Sequence, residues 1–247
     1  MKKLTTIGSV ILMAMLVVAM TACSGGDDDP VHTHDWGEWA IETSWGVDTK
    51  TCSGCGETEI RLTKAIGDTG PAGGVIFYLS KAGFPVEGYS GTTKPFAAYT
   101  AHYMEAASAN QSTSTWTASP SNFSLIAGVT TFTSTGDSEA SIIGNGRKDT
   151  YIVSDYLSLF DSEQATQRCV AKSVTVGSTT FTDWFLPSIG ELKELFKIDG
   201  MYGISLDAWT WSSSQYDDGW AWNFNNSTTI NHNEKNMIGA VRAIRAF

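Results

Sequence analysis

The pattern of apolar and polar residues predicts two strands, near the beginning and the end of a long C-terminal region. Val75–Leu79 is an unbroken apolar and aromatic run, which is typical of a buried strand when turn residues flank it. Trp220, Trp222 and Phe224 alternate with smaller residues, a spacing that sends one set of strand side chains to a shared face.

Helical spacing is clearest in the segment that begins at Ser188. Ser188 and Glu191 have the spacing of a capping box, in which each side chain satisfies a backbone donor of the first turn. The apolar residues that share one face of this helix are Ile189, Leu192, Leu195 and Phe196. Gly200 ends the helix. Two weaker patterns predict helices over Ala97–Ala109 and Asp149–Ser158.

The amino terminus has the pattern of an export signal. Lys2 and Lys3 precede an apolar run from Ile7 to Met20, and small residues then lead to Cys23. This end resembles the lipobox of bacterial lipoproteins, which implies a signal peptide over 1–22, a lipid on Cys23 and a flexible tether over 23–31. The alternative is a membrane-spanning anchor, because the run is nearly long enough to span a bilayer.

Residues 32–65 have the composition of a small β-rich module with a C-x-x-C knuckle and a short return strand. His32, His34, Cys52 and Cys55 could supply two nitrogens and two thiolates to a tetrahedral zinc ion. The same two cysteines could instead close as a disulfide in an oxidising compartment. The segment resembles short cell-surface repeats with a WGEW start, which implies a spacer or stalk. Cys169 is expected to be a buried small hydrophobe.

Composition and charge exclude several classes of function. The 247 residues are 42% hydrophobic, enough for one good core with a small appendage. The net charge of -10 and the lack of a Lys/Arg cluster argue against binding to nucleic acid or anionic membrane surfaces. The glycines before Val75 lack the Lys of a phosphate loop. His102 and His232 have no evident catalytic partners, so no Ser-His-Asp arrangement is predicted.

Five motifs occur in an order that carries a resemblance to a known family. They are GDTGPAGGVIFY, DWFLPSIGELKELF, WTWSSSQY, AWNF and VRAIRAF. In this order they resemble a domain of bacterial surface proteins that is known from the C-terminus of a collagen-like adhesin and is related to the formylglycine-generating enzymes. The resemblance implies an α+β, C-type-lectin-like fold over 66–247, with a small mixed sheet, two helices and long irregular loops. Phe185 stands where the family has Arg, so any salt bridge of that Arg is missing. Trp222 and Phe224 match aromatic residues of the family's AW-x-F framework, which implies that they belong to the core.

The resemblance does not carry an enzymatic activity or a calcium site to this chain. Formylglycine-generating enzymes use paired cysteines near the end of the domain, and this sequence has no cysteine after Cys169. The sugar-binding calcium triplets of C-type lectins are absent as well. Asp217 and Asp218 alone are too few oxygen ligands for calcium. We therefore predict a non-enzymatic domain without a cofactor, apart from the zinc considered for residues 32–65.

The region from Trp209 to Asn236 is predicted to be a ligand-binding face, because aromatic rings and small polar groups suit protein surfaces and sugar rings alike. The candidate residues are Trp209, Tyr216, Asp217, Asp218, Trp220, Asn223, Asn225, Asn226, Ser227, Asn231, His232, Asn233 and Asn236. Every residue from Asn223 to Asn233 is reachable from AAY codons by changing the first two bases, as in variable proteins of diversity-generating retroelements. The alternative is an ordinary polar loop.

These patterns together predict a lipid-anchored protein of the outer membrane or cell surface. Its expected partners are a protein or glycan ligand outside the cell and the membrane that holds the anchor. A structural protein of the cell envelope, without a specific ligand, is the alternative from another class.

Overall fold

The computed structural model describes residues 33–42, 45–117, 124–158, 164–207, 209–225 and 229–247. Within them the chain is a mixed α+β protein. The strands are β1 (Val47–Thr51), β2 (Thr58–Leu62), β3 (Val75–Val86), β4 (Tyr99–Ala106), β5 (Thr113–Thr115), β6 (Val174–Val176), β7 (Thr179–Phe181), β8 (Trp209–Gln215), β9 (Trp220–Asn225), β10 (Ile230–Glu234), β11 (Ile238–Ala240) and β12 (Ile244–Ala246). The α-helices are α1 (Gly146–Leu157), α2 (Ala165–Ala171) and α3 (Ile189–Phe196), and a 3-10 helix covers Ser138–Ser141.

Two larger sheets and two small hairpins make up the β structure. The five-stranded sheet has the order β10-β9-β8-β11-β5, and its β8–β11 pair is parallel while the other pairs are antiparallel. The three-stranded sheet has the order β12-β4-β3, and β1–β2 and β6–β7 are separate hairpins. The five-stranded sheet is therefore mixed, and the three-stranded sheet is antiparallel. Largely antiparallel sheets together with separate helices agree with the predicted α+β class.

Helix α3 confirms the capping box predicted from the sequence. The Ser188 hydroxyl accepts from the Glu191 backbone N–H at 3.3 Å, and the Glu191 carboxylate accepts from the Ser188 N–H at 2.7 Å. The helix ends at Phe196, and turns continue to Gly200, whose φ of 75° suits glycine. Helix α1 begins three residues before the predicted Asp149 and ends one residue before the predicted Ser158.

The helix predicted over Ala97–Ala109 is wrong, because β4 occupies that segment. β4 pairs with both β3 and β12, and Ala101 and Tyr103 are fully buried. The alanines favour a helix in isolation, but hydrogen bonding on both edges and burial of alternate side chains decide the conformation here. β3 contains the predicted Val75–Leu79 strand and extends it to Val86.

The glycine-rich turn before β3 closes around a buried carboxylate, Glu105 of β4. Its two oxygens accept from the backbone N–H groups of Ala72 at 3.1 Å and Gly74 at 2.9 Å. A Cβ at Gly74 would lie 2.5 Å from the Ala106 carbonyl oxygen, which explains the need for glycine there. The segment is a turn before a strand, as predicted.

The five-stranded sheet separates two apolar clusters, and both predicted aromatic residues of β9 belong to the core. Trp222 and Phe224 are only 4% and 6% exposed and lie in one cluster, where Trp222 stacks on Phe132 with a centroid distance of 4.7 Å. Trp211 of β8 lies in the other cluster. Burial of one such side chain stabilises a fold by roughly 1.5–3 kcal/mol. Cys169 is also fully buried, as predicted.

The β1–β2 hairpin contacts the larger domain through residues near its start. The Tyr103 hydroxyl donates to the Gly46 carbonyl at 2.8 Å, and the Trp45 ring lies 5.8 Å from that of Phe247. Among the described residues no helix is long and apolar enough to cross a membrane. Cys23, the predicted lipidation site, lies outside the described residues.

Candidate functional site

The small module brings three of its four predicted metal ligands together. One ligand atom from each of His34, Cys52 and Cys55 lies within 4.8 Å of the other two, and the Cys55 Sγ to His34 Nδ1 distance is 3.6 Å. This group could hold a metal ion. Neither cysteine forms a disulfide. His32, the fourth predicted ligand, lies outside the described residues.

The approach of His34, Cys52 and Cys55 depends on a tight knuckle between β1 and β2. The Gly56 N–H donates to the Cys52 carbonyl at 2.9 Å, and the Cys52 N–H donates to the Glu57 carbonyl at 2.8 Å. Gly56 has a φ of 74°, which a residue with a side chain rarely adopts. A bridge between Trp36 and Cys52 lays the His34 segment beside the knuckle.

The predicted ligand-binding residues do not share one face of the five-stranded sheet. Most of the predicted aromatic side chains lie on one face, whereas the asparagines of β9 and β10 lie on the other together with Trp209. Trp222 packs on one side, and Trp211, which pairs with Asn223 across β8 and β9, packs on the other. We call these the Trp222 face and the Trp211 face. Strand side chains alternate and cross-strand partners share a face. The Trp211 face therefore carries Asn223, Asn225, Asn231 and Asn233.

Three rings on the Trp222 face form what we call the aromatic cluster: Tyr216, Trp220 and His232. The His232 ring centroid lies 4.0 Å from that of Tyr216 and 5.4 Å from that of Trp220. Its inner side stacks on Trp222, with centroids 5.3 Å apart and planes inclined by 26°. Trp220 is 37% exposed, so the cluster joins the core to solvent. Burial lowers the pKa of His232, and the nearby charge of Asp217 opposes that shift.

The turn between β8 and β9 fixes the backbone next to the aromatic cluster. One Asp217 carboxylate oxygen accepts from the N–H groups of Gly219 and Trp220, each at 2.8 Å. Asp217 therefore holds the turn as well as contributing charge. Asp218 is exposed, and its carbonyl accepts from the Lys235 ammonium group at 2.9 Å. The turn thus presents one acidic side chain directly to solvent.

Two of the predicted ligand-binding residues are placed where they cannot join the aromatic cluster. Asn223 is fully buried, so it cannot reach an external ligand. Trp209 pairs with Asn225 and its ring lies 5.3 Å from that of Trp211, so it belongs to the Trp211 face. Successive side chains of a strand point to opposite faces, so the strand position of a residue decides which face it joins. The pairing with Asn225 puts Trp209 on the face opposite the aromatic cluster.

The other predicted polar residues lie along or near the edge strand β10. Asn231 is exposed, while Asn225, Asn233 and Asn236 are partly buried. The Asn231 carboxamide oxygen accepts from the His232 N–H at 2.9 Å, which satisfies a donor that would otherwise point outward from the sheet edge. Asn226 and Ser227 lie outside the described residues.

A buried lysine that the sequence did not reveal, Lys235, links the segment after β10 to β8, to the turn between β8 and β9 and to the segment at Ser124. The Lys235 ammonium group donates to the Ser124 carbonyl at 3.0 Å and to Gln215 Oε1 at 3.3 Å, besides the Asp218 carbonyl. Burial lowers its pKa to about 8, against the opposing charges of Asp217 and Asp218. A lysine between Glu234 and Asn236 gives no sequence signal of burial, because its partners come from distant segments.

Comparison with known proteins adds no relative to this geometry: no protein-family model matches the chain, and no curated protein matches it.

Proposed function

We propose that this chain is a lipid-anchored surface protein whose C-type-lectin-like domain binds a protein or glycan ligand. The observation that carries the proposal is the aromatic cluster of Tyr216, Trp220 and His232. The His232 ring contacts the rings of both Tyr216 and Trp220, and Trp220 remains more than a third exposed although Trp222 of the same strand is buried. The order of the five sequence motifs supports the C-type-lectin-like assignment.

The chemistry of this surface suits recognition better than catalysis. Aromatic rings give a large contact area with little loss of rotamer entropy, and Trp and Tyr retain a polar group for hydrogen bonding. His232 contributes a further polar ring, and the exposed Asp218 lies in the adjoining turn. The backbone of that turn is held by Asp217, so binding would order few additional groups.

A binding screen tests this proposal. The full-length protein, held in detergent, is applied to immobilised glycans and to a panel of cell-surface proteins, in parallel with Trp220→Ala. Tyr202→Ala is the matched control, because Tyr202 is an exposed aromatic residue in the segment between α3 and β8. We expect a ligand that binds the wild type and the control but not Trp220→Ala. Absence of any ligand would favour the structural envelope protein.

We also propose that the metal of the small module is zinc and that its role is structural. Zinc bonds of about 2.3 Å to sulfur and about 2.0–2.1 Å to nitrogen, at a tetrahedral angle, separate the two ligand atoms by about 3.6 Å. The Cys55 Sγ to His34 Nδ1 distance is 3.6 Å. Thiolates with imidazole also favour zinc over calcium or magnesium. Metal analysis of the purified protein should find one zinc ion per chain, which Cys52→Ser removes.

The lipid anchor is a separate part of the proposal and has its own test. Labelled palmitate fed to cells should enter the wild-type protein and not Cys23→Ser. The variant should then appear in the soluble fraction if its signal peptide is cleaved. A wild-type protein that stays in the membrane fraction without taking up labelled palmitate would favour the membrane-spanning anchor.

Sequence diversification between Asn223 and Asn233 would extend the binding proposal. Burial in the sheet limits which of these positions could vary. Asn223 is fully buried and Phe224 is in the core, whereas Asn231 is exposed. A near-identical DNA repeat differing only at adenines, beside a reverse transcriptase gene, would support diversification. Among related genes we expect variation at Asn231 and its neighbours rather than at Asn223.

A further inference from the structure

The imidazole of His34 is held from three directions by other residues of the small module. Nδ1 lies 3.6 Å from Cys55 Sγ, and Nε2 lies 3.2 Å from a carboxylate oxygen of Glu57. The ring also stacks on Trp36, with centroids 4.8 Å apart and planes inclined by 25°. One ring nitrogen therefore faces the metal-binding group, and the other faces a carboxylate.

The knuckle itself brings Glu57 to this position. Its backbone carbonyl accepts from the Cys52 N–H at 2.8 Å, so Glu57 closes the turn that carries both thiols. Its side chain then reaches the His34 nitrogen that points away from Cys55. The same turn thus supplies two thiols on one side of the imidazole and a carboxylate on the other.

The His34–Glu57 ion pair is too exposed to contribute much to the stability of the fold. The two side chains are 33% and 56% exposed, and ion pairs of this kind contribute about 0–1 kcal/mol. Metal-binding histidines, in contrast, usually donate their second N–H to a carboxylate, which fixes the tautomer and makes the ligating nitrogen more basic. The observed arrangement has this form.

We propose that Glu57 is the positioning residue of the metal site, acting through His34. The inference rests on the zinc site proposed above. Glu57 accepts a hydrogen bond from His34 Nε2–H, which leaves the Nδ1 lone pair directed at the ion beside the Cys52 and Cys55 thiolates. Trp36 fixes the plane of the ring, so the imidazole needs little rearrangement when zinc binds.

Zinc affinity of the reduced full-length protein, measured by competition with a chromophoric chelator, tests this role. Glu57→Ala should weaken zinc binding about 10- to 100-fold, and Glu57→Gln should lose less because its amide oxygen still accepts from Nε2–H. Glu59→Gln is the matched control, since Glu59 forms an ion pair with Lys50 on the same hairpin at 2.8 Å. The control should bind zinc within about twofold of the wild type.

The tautomer of His34 gives a readout that a purely structural role would not change. Nitrogen-15 NMR of the zinc-loaded wild type should show the metal on Nδ1 and a proton on Nε2. Wild-type affinity in Glu57→Ala, or zinc bound through Nε2, would overturn the role of Glu57 while leaving the zinc site intact. Failure of the wild type itself to bind zinc would instead overturn the site.

Discussion

The ring of His232 meets the ring of Tyr216 edge to face, with centroids 4.0 Å apart and planes at 85°. This contact links β10 to the end of β8, and the second side of the imidazole stacks on Trp222. The buried Nδ1 atom of His232 has no hydrogen-bond partner among the described residues. A positive charge on this ring would therefore be poorly solvated.

This environment predicts that acid weakens the fold through His232. Burial lowers the pKa of His232 below its usual value, so the folded state favours the neutral ring. Stability from the neutral ring is present above about pH 6.5 and is lost as the pH falls through the lowered pKa. Urea unfolding at about pH 7.5 and about pH 5.5 should show a smaller loss in His232→Gln than in the wild type. An equal loss in both proteins would contradict this role.

A buried carboxylate in α1 predicts the opposite pH dependence. Burial raises the pKa of Asp149 to about 7. Its Oδ1 accepts from the Thr130 N–H at 3.1 Å, and its Oδ2 has no partner among the described residues. The raised pKa means that stability is present below about pH 4 and is lost as the pH rises through about 7.

Asp149→Asn should therefore stabilise the protein at alkaline pH, because the amide carries no charge to bury. We expect the Tm at about pH 8 to rise by about 2–4 °C for each kcal/mol gained, and the gain to shrink toward about pH 4. Asp218→Asn, at an exposed carboxylate, controls for net charge. Equal Tm changes in the two variants would contradict the prediction.

Substitutions at Glu105 and Arg245, which form a buried ion pair, should have strongly non-additive effects on the free energy of unfolding. Arg245 Nη1 lies 3.0 Å from Glu105 Oε1, and the side chains are almost fully buried. Arg245→Met would leave the carboxylate without its cation, which costs about 3–5 kcal/mol in such pairs. Arg245→Met with Glu105→Gln should recover part of that loss. Urea denaturation measures both values, and a loss below about 1 kcal/mol for the single variant would contradict the coupling.

Local rules predicted the elements whose determinants lie close together in the sequence. The capping box of α3 needs only Ser188 and Glu191, three residues apart, and both of its hydrogen bonds are present. The core positions that the family resemblance implied for Trp222 and Phe224 are confirmed as well. The knuckle of Cys52 and Cys55 likewise brings its thiols near His34.

Features that depend on distant partners could not be predicted in the same way. The strand β4 replaced a predicted helix because β3 and β12 supply its hydrogen bonds. Trp209 and Trp220 were both predicted to bind ligand, but they lie on opposite faces of the sheet. The register irregularity between Trp211 and Gln215 prevents this difference from being read from the spacing in the sequence. Lys235 is buried because Ser124, Gln215 and Asp218 meet around it.

The most direct test of the binding proposal compares the two tryptophans that lie on opposite faces of the sheet. Isothermal titration of the strongest ligand from the screen gives the Kd for the wild type, Trp220→Ala and Trp209→Ala. Removing an aromatic hot spot costs about 2 kcal/mol or more, so we expect Trp220→Ala to bind about 30-fold more weakly. Trp209→Ala should stay within about threefold of the wild type. A large loss in Trp209→Ala with unchanged binding by Trp220→Ala would contradict the proposed site.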